Sequence, residues 1–229
     1  MLVEVCVRGA SAICAHPHKS AAVAQVGKAS PAVFCYDLLN EPILTGGEGK
    51  SDWLPGEGLG GKHFVQRITI DAKGRDDRQI ARQWVERLTA AIRSVDDRTM
   101  ITVGVIPWAQ VFKGAKPLFY APEVCEPLDF VSVHLYPKKG KLDEDLAALR
   151  VYEVGKPLVV EEIFPMSADF DETAAFIERS RTHADGWISF YWGKTIAEYD
   201  KAGDLKSALV GGWLKRFRAM ASGSPPETK

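Results

Sequence analysis

Ala32-Val33-Phe34-Cys35-Tyr36-Asp37-Leu38-Leu39-Asn40-Glu41-Pro42 is an apolar run of strand length that stops abruptly at a carboxylate. Lys156-Pro157-Leu158-Val159-Val160-Glu161-Glu162-Ile163-Phe164 repeats the arrangement. Apolar runs bounded by turn residues fit strands buried on both faces, as in a parallel sheet. A glutamate just past such a strand stands at the C-terminal edge of the sheet, where α/β barrels carry their chemistry. Two such ends, one at Glu41 and one at Glu161-Glu162, point to a paired-carboxylate site.

Working outward from these runs, strands and helices alternate from Pro31 onward. Strands are expected near 32–39, 99–107, 130–134, 158–162 and 187–192. A long glycine-rich connection follows the first strand, and a helix then opens at Asp76 or Asp77, either of which can cap it. Its Ile80, Trp84, Val85, Leu88, Ile92 and Val95 fall on one helical face. Further helices are expected near 142–153, near 171–184 with Gly186 as its terminator, and around Leu205, Leu209, Trp213 and Phe217. Five β-α units in series predict a parallel sheet with right-handed crossovers.

Residues 31–220 supply these units at about 38 residues each. A closed eight-unit barrel takes about 250 residues, and only 30 residues precede Pro31. The expectation is therefore an α/β chain carrying part of a (β/α)8 TIM barrel. Residues 1–30 form a poorly matched N-terminal segment that includes the end of a barrel helix. Residues 31–221 form the barrel portion, and 222–229 form a disordered tail.

The 229 residues carry a net charge of −1, with 46% hydrophobic and 26% charged positions. Such a balance fits a globular domain and gives no reason to expect a nucleic acid or an anionic membrane as partner. No apolar run approaches the roughly 18 residues of a membrane span. Met1–Ala15 lacks a basic start and is interrupted by Arg8, so it does not read as a signal peptide, and the compartment stays open. Cys6, Cys14, Cys35 and Cys125 show no CxxC spacing and argue against a zinc site. Cys35 reads as a small thiol buried in its strand. Gly49-Lys50-Ser51 ends like a phosphate-binding loop, but the glycine required five positions before Gly49 is Leu44. The glycines of 46–61 suit a flexible lid over a cleft instead.

With these residues in view, the chain resembles the glycoside hydrolases of clan A, most closely family 5, the cellulase and β-mannanase family. Asn40-Glu41-Pro42 matches the family's acid/base motif after strand 4. Lys156-Pro157-Leu158-Val159-Val160-Glu161-Glu162 matches the nucleophile segment after strand 7, in the form with two adjacent glutamates of which the second attacks. His134-Leu135-Tyr136 matches the His-x-Tyr after strand 6, and Trp192 the tryptophan ending strand 8. The resemblance covers roughly residues 21–220 and implies barrel units 4–8 without strands 1–3. The family's early arginine and histidine have no counterpart here, and His16 and His18 lie too close to Asn40 to supply them.

The resemblance implies a retaining β-glycosidase acting on a β-linked mannan or glucan, with Glu41 as acid/base and Glu162 as nucleophile. Retention needs two carboxyl groups about 5–5.5 Å apart, in environments that push their pKa values apart. Side chains alternate along a strand, so only one of Glu161 and Glu162 is expected to face the mouth. The resemblance favours Glu162 and leaves Glu161 to a basic group or water. Asn40, His134, Tyr136 and Trp192 are implied as substrate-binding or positioning residues. Trp53 and Trp108 are weaker candidates for outer sugar platforms. Double displacement needs neither a metal nor an organic cofactor. A competing reading is a vestigial or sugar-binding partial barrel. Its uncovered edge and apolar face would favour self-association.

Overall fold

The computed structural model describes residues 17–44, 68–69, 72–190 and 193–222. Its strands are β1 (Cys35–Asp37), β2 (Met100–Thr102), β3 (Gly104–Val105), β4 (Val131–His134), β5 (Leu158–Ile163) and β6 (Gly186–Ser189). Every described pairing is parallel: β1 with β2, β3 with β4, β4 with β5, and β5 with β6. Since β2 and β3 are two parts of one run separated only by Val103, the strand positions number five, as the sequence predicts.

The expected first strand, 32–39, shortens to three residues for a local reason. The Asp37 carboxylate accepts the amides of Leu39 at 3.3 Å and Gly104 at 2.8 Å. A side chain thus takes the place of ladder bonds beyond Asp37. The expected second strand, 99–107, breaks at Val103, where the Tyr120 hydroxyl donates to the Val103 carbonyl.

Helices flank the sheet as the βαβ pattern requires. The helix α1 (Pro17–Gly27) packs against α2 (Asp77–Arg93). Of the two candidate caps of α2, Asp76 is the one used. Its side chain accepts the Gln79 amide at 2.8 Å, and the Gln79 side chain returns a bond to the Asp76 amide. Ile80, Trp84, Val85, Leu88 and Ile92 are all buried, so the expected face is the core face. Short α3 (Trp108–Val111) and α4 (Pro122–Cys125) follow β3. The later helices are α5 (Leu142–Arg150), α6 (Phe170–Ser180), α7 (Ile196–Ala202) and α8 (Leu205–Ser222). No helix among the described residues is long and apolar enough to cross a membrane.

Gly186 does not end α6. The helix stops at Ser180, and Gly186 already pairs with Val159 in β6. Between them Asp185 ties the strands together: its amide donates to the Leu158 carbonyl at 2.7 Å, and its carboxylate accepts the Leu158 amide at 2.8 Å.

The main core lies between sheet and helices and includes Leu158 and Val160 of β5, with Trp213 and Phe176 from the helices. Alternation sends Val159 to the opposite face. There it forms a second small cluster with Phe130 and Ile188, flanked by Phe34, Cys35 and Met100. Phe130, Val159 and Ile188 are buried, so this face is less exposed than the sequence predicts. Cys35 is only partly buried.

Candidate active site

The sequence-predicted residues meet at the C-terminal ends of β1, β4 and β5. His134, the last residue of β4, is 1% exposed and stands at the centre. Its Nδ1 lies 3.1 Å from Glu41 Oε1 and 3.5 Å from Glu162 Oε1. The Tyr136 hydroxyl donates to Glu162 Oε2. Glu41, His134 and Tyr136 therefore gather around Glu162, as the motifs imply.

The other expected residues divide. Asn40 is partly buried beside Glu41, and among the described residues no hydrogen bond joins it to the cluster. Trp192, Trp53, His16 and the glycine-rich segment 46–61 lie outside the described residues. His18 is exposed on α1. Trp108 is 44% exposed and stacks on Phe112 with ring centroids 5.9 Å apart.

Both adjacent glutamates reach His134, a correction to strict alternation. The register shifts between Val133 and His134 and again between Val160 and Ile163, which lets β5 turn consecutive side chains toward one ring. They take opposite sides of it. Glu162 joins Glu41 at Nδ1, whereas Glu161 Oε2 lies 3.7 Å from Nε2 and accepts the Ser132 hydroxyl. Glu161 has thus found the basic group expected for it.

Glu41 holds a left-handed backbone, with φ of 52°. This conformation is costly for a side chain with a Cβ, about 1–3 kcal/mol, and persists only where the surroundings fix it. Here the Glu41 amide is held by the Gly104 carbonyl at 2.8 Å. The strained turn lifts the carboxylate off the strand direction and toward His134.

Three residues were missed in the sequence: Asp37, Gly104 and Ser132. They form the rear of the site. An added Cβ at Gly104 would sit 2.5 Å from His134 Nε2, 2.8 Å from Glu161 Oε2 and 3.0 Å from Asp37 Oδ2. The available signal was a carboxylate, Asp37, inside an otherwise apolar strand.

The electrostatics follow from this crowding. Burial, and next the Glu161 carboxylate, push Asp37 up to about 7, against the Gly104 amide and His134, which favour its charge. Burial opposes charge on His134, yet Glu161, Glu41 and Glu162 together push it up to about 10. Glu41, His134 and Glu162 could each offer one ligand atom to a cation, all within 4.8 Å of one another. His134 Nδ1 stands between the two carboxylates, 3.1 Å from Glu41 Oε1 and 3.5 Å from Glu162 Oε1.

No family model matches the sequence, and no curated protein matches it either. Solved structures do resemble it. One is the catalytic domain of an endoglucanase from Thermobifida fusca, at 20% identity and TM-score 0.52, covering 79% of this chain and 51% of that one. Another is a β-mannanase from the blue mussel Mytilus edulis, at 18% identity and TM-score 0.51, covering 91% and 60%. A third is an exo-β-1,4-mannosidase from Opitutaceae bacterium strain TAV5, at 16% identity and TM-score 0.53, covering 90% and 40%. The chain spans about half the length of these proteins. Their likeness, together with the all-parallel strand order and flanking helices, establishes the fold as α/β, with the architecture of a partial (β/α)8 barrel.

Proposed function

We propose that the site is that of a retaining β-glycoside hydrolase acting on a β-linked mannan or glucan, with Glu41 as acid/base and Glu162 as nucleophile. The observation that carries this reading is the approach of both carboxylates to one histidine nitrogen, at 3.1 and 3.5 Å. An oxygen of each glutamate lies within 4.8 Å of the other. Such closeness supports retention, which needs carboxyl groups about 5–5.5 Å apart, over inversion at roughly 6.5–9.5 Å. In the proposed reaction Glu162 attacks the anomeric carbon while Glu41 protonates the leaving oxygen. Water then hydrolyses the glycosyl ester with Glu41 as base. Tyr136 orients Glu162, His134 orients both carboxylates, and Asn40 and Trp192 are assigned to the sugar. The endoglucanase neighbour has a variant solved with cellotetraose, which fits a β-linked oligosaccharide as ligand.

A second reading is a partial barrel that binds sugar without cleaving it. Likeness at 16–20% identity carries the fold alone, and a fold serves binding as readily as cleavage. The deciding experiment incubates the chain with manno- and cello-oligosaccharides and follows anomeric protons by NMR. First appearance of the β-anomer, abolished in Glu162→Ala, supports hydrolysis with retention. Saturable binding without any reducing-sugar release supports the second reading. Among the described residues β1 pairs only with β2, and β6 only with β5. Such edges favour self-association, and sedimentation of a monomer would count against it.

A further inference from the structure

Behind the pair of carboxylates, the rear of the site has a chemistry of its own. His134 Nε2 is a buried side-chain atom with no hydrogen-bond partner. It points at Glu161 Oε2, 3.7 Å away, and at the place over Gly104 where Asp37 Oδ2 also converges. The opposite nitrogen, Nδ1, faces Glu41 and Glu162. In either neutral tautomer one ring nitrogen presents a lone pair to carboxylate oxygens. With Nε2 bare, that lone pair faces Glu161. With Nδ1 bare, it faces Glu41 and Glu162. Only the doubly protonated ring places an N–H on both sides.

We infer that Asp37, Glu161 and Gly104 form a positioning cradle that holds His134 as an imidazolium between Glu41 and Glu162. The carboxylates supply negative charge behind the ring, and Ser132 fixes Glu161 by its hydroxyl. Asp37 is itself fixed by the Gly104 amide at 2.8 Å. Gly104 contributes by lacking a side chain, because a methyl there would overlap all three polar atoms. The titratable groups facing the ring are Asp37 from β1, Glu41 from the segment after it, and Glu161 and Glu162 from β5, with Tyr136 from the segment after β4 bonded to Glu162. A single cation among them allows two front carboxylates to approach closely without net repulsion. The inference builds on the glycosidase reading, since it gives the rear residues a part in holding that reading's acid and nucleophile.

The test is the imidazole 15N spectrum of the histidine-labelled, 229-residue chain, with the His134 signals assigned by their loss in His134→Gln. At pH 8 an ordinary histidine, with a pKa of about 6.5, is neutral. His134 is expected to show both nitrogens protonated. If the chain self-associates, the same shifts are read from sedimented protein in the solid state. Asp37→Asn and Glu161→Gln, both nearly isosteric, are expected to lower the His134 midpoint by about one pH unit or more, a tenfold loss of proton affinity. Gly104→Ala is expected to lower it by displacing the ring. If one variant does not fold by circular dichroism, the others and the unaltered chain decide.

A neutral His134 at pH 8 in the unaltered chain overturns the inference, and so does a midpoint unmoved in every folded variant. Sugar hydrolysis reports separately. A charged His134 in a chain that cleaves nothing sinks the glycosidase reading and leaves the cradle. A neutral His134 in an active chain sinks the cradle alone.

Discussion

The hydroxyl of Tyr120 accepts the amide proton of Ser132 at 2.7 Å and donates its own proton to the Val103 carbonyl. It stands between β3 and β4 as a rung made by a side chain. Tyr120 is 1% exposed, and burial pushes its hydroxyl well above the usual range, so it stays protonated and able to donate. In Tyr120→Phe, one amide and one carbonyl lose their partner in a dry interior. The expected cost is about 1–3 kcal/mol, read as a lower urea midpoint with an unchanged slope. A variant as stable as the unaltered chain would show that the rung is dispensable.

The two front carboxylates are predicted to fail differently. Glu162→Ala removes the proposed attacking group and should leave no measurable turnover. Glu41→Gln should slow cleavage of oligosaccharides by roughly 10²–10⁴-fold, and much less for aryl glycosides whose leaving group needs no proton. Equal loss on both substrate types in Glu41→Gln would contradict its role as acid.

Tyr136→Phe tests the orienting bond to Glu162. Hydrogen bonds to charged groups are worth about 1.5–3 kcal/mol. The expected result is a kcat lowered roughly tenfold or more with KM little changed, measured by steady-state kinetics. A change confined to KM would assign Tyr136 to sugar binding instead.

Three groups together predict how stability varies with pH. Burial raises the Asp96 carboxyl. The Thr99 and Arg98 amides and the Tyr36 hydroxyl outweigh it and hold the group well below the carboxylate range. Its stabilisation is full above about pH 4 and is lost as the pH falls. Asp37 is raised, to about 7. Its contribution is full below about pH 4 and is lost as the pH rises through 7. His134, raised to about 10, contributes fully below about pH 6.5 and loses that contribution as the pH approaches 10. Stability should therefore peak at acidic pH, at about 4. The alkaline decline should flatten in His134→Gln. Denaturation midpoints from pH 3 to 10 measure both. A maximum above pH 8 would be incompatible with these assignments.

Much of this arrangement was legible in the chain because strand-end motifs are local. Asn40-Glu41-Pro42, His134-Leu135-Tyr136 and Glu161-Glu162 each fix a residue at the end of an apolar run, and parallel order then brings the ends together. Asp76 and its buried partners, such as Trp84 and Leu88, announced α2 for the same reason. What escaped were pairings between distant segments. Nothing near Tyr120 says that its hydroxyl will reach Val103 and Ser132. Nothing near Asp37 says that it will take the amide of Gly104, 67 positions away. The alternation argument for Glu161 and Glu162 failed because register shifts beside His134 and within β5 are set by neighbouring strands, not by the local pattern. Gly186 misled in another way, since a glycine opening a strand reads like one closing a helix.

Gly104 is where these distant segments are fastened to one another. Its carbonyl holds the Glu41 amide, its amide holds Asp37, and its bare Cα lies against the His134 ring. A displacement of this one residue, with the peptide groups on either side of its Cα, would carry Glu41, Asp37 and His134 along as a single piece. Any redesign that lengthens the Ile101–Val105 run or grafts the site onto another scaffold must therefore treat this backbone as part of the reagent, transplanting three side chains and the two peptide groups that flank Gly104 together.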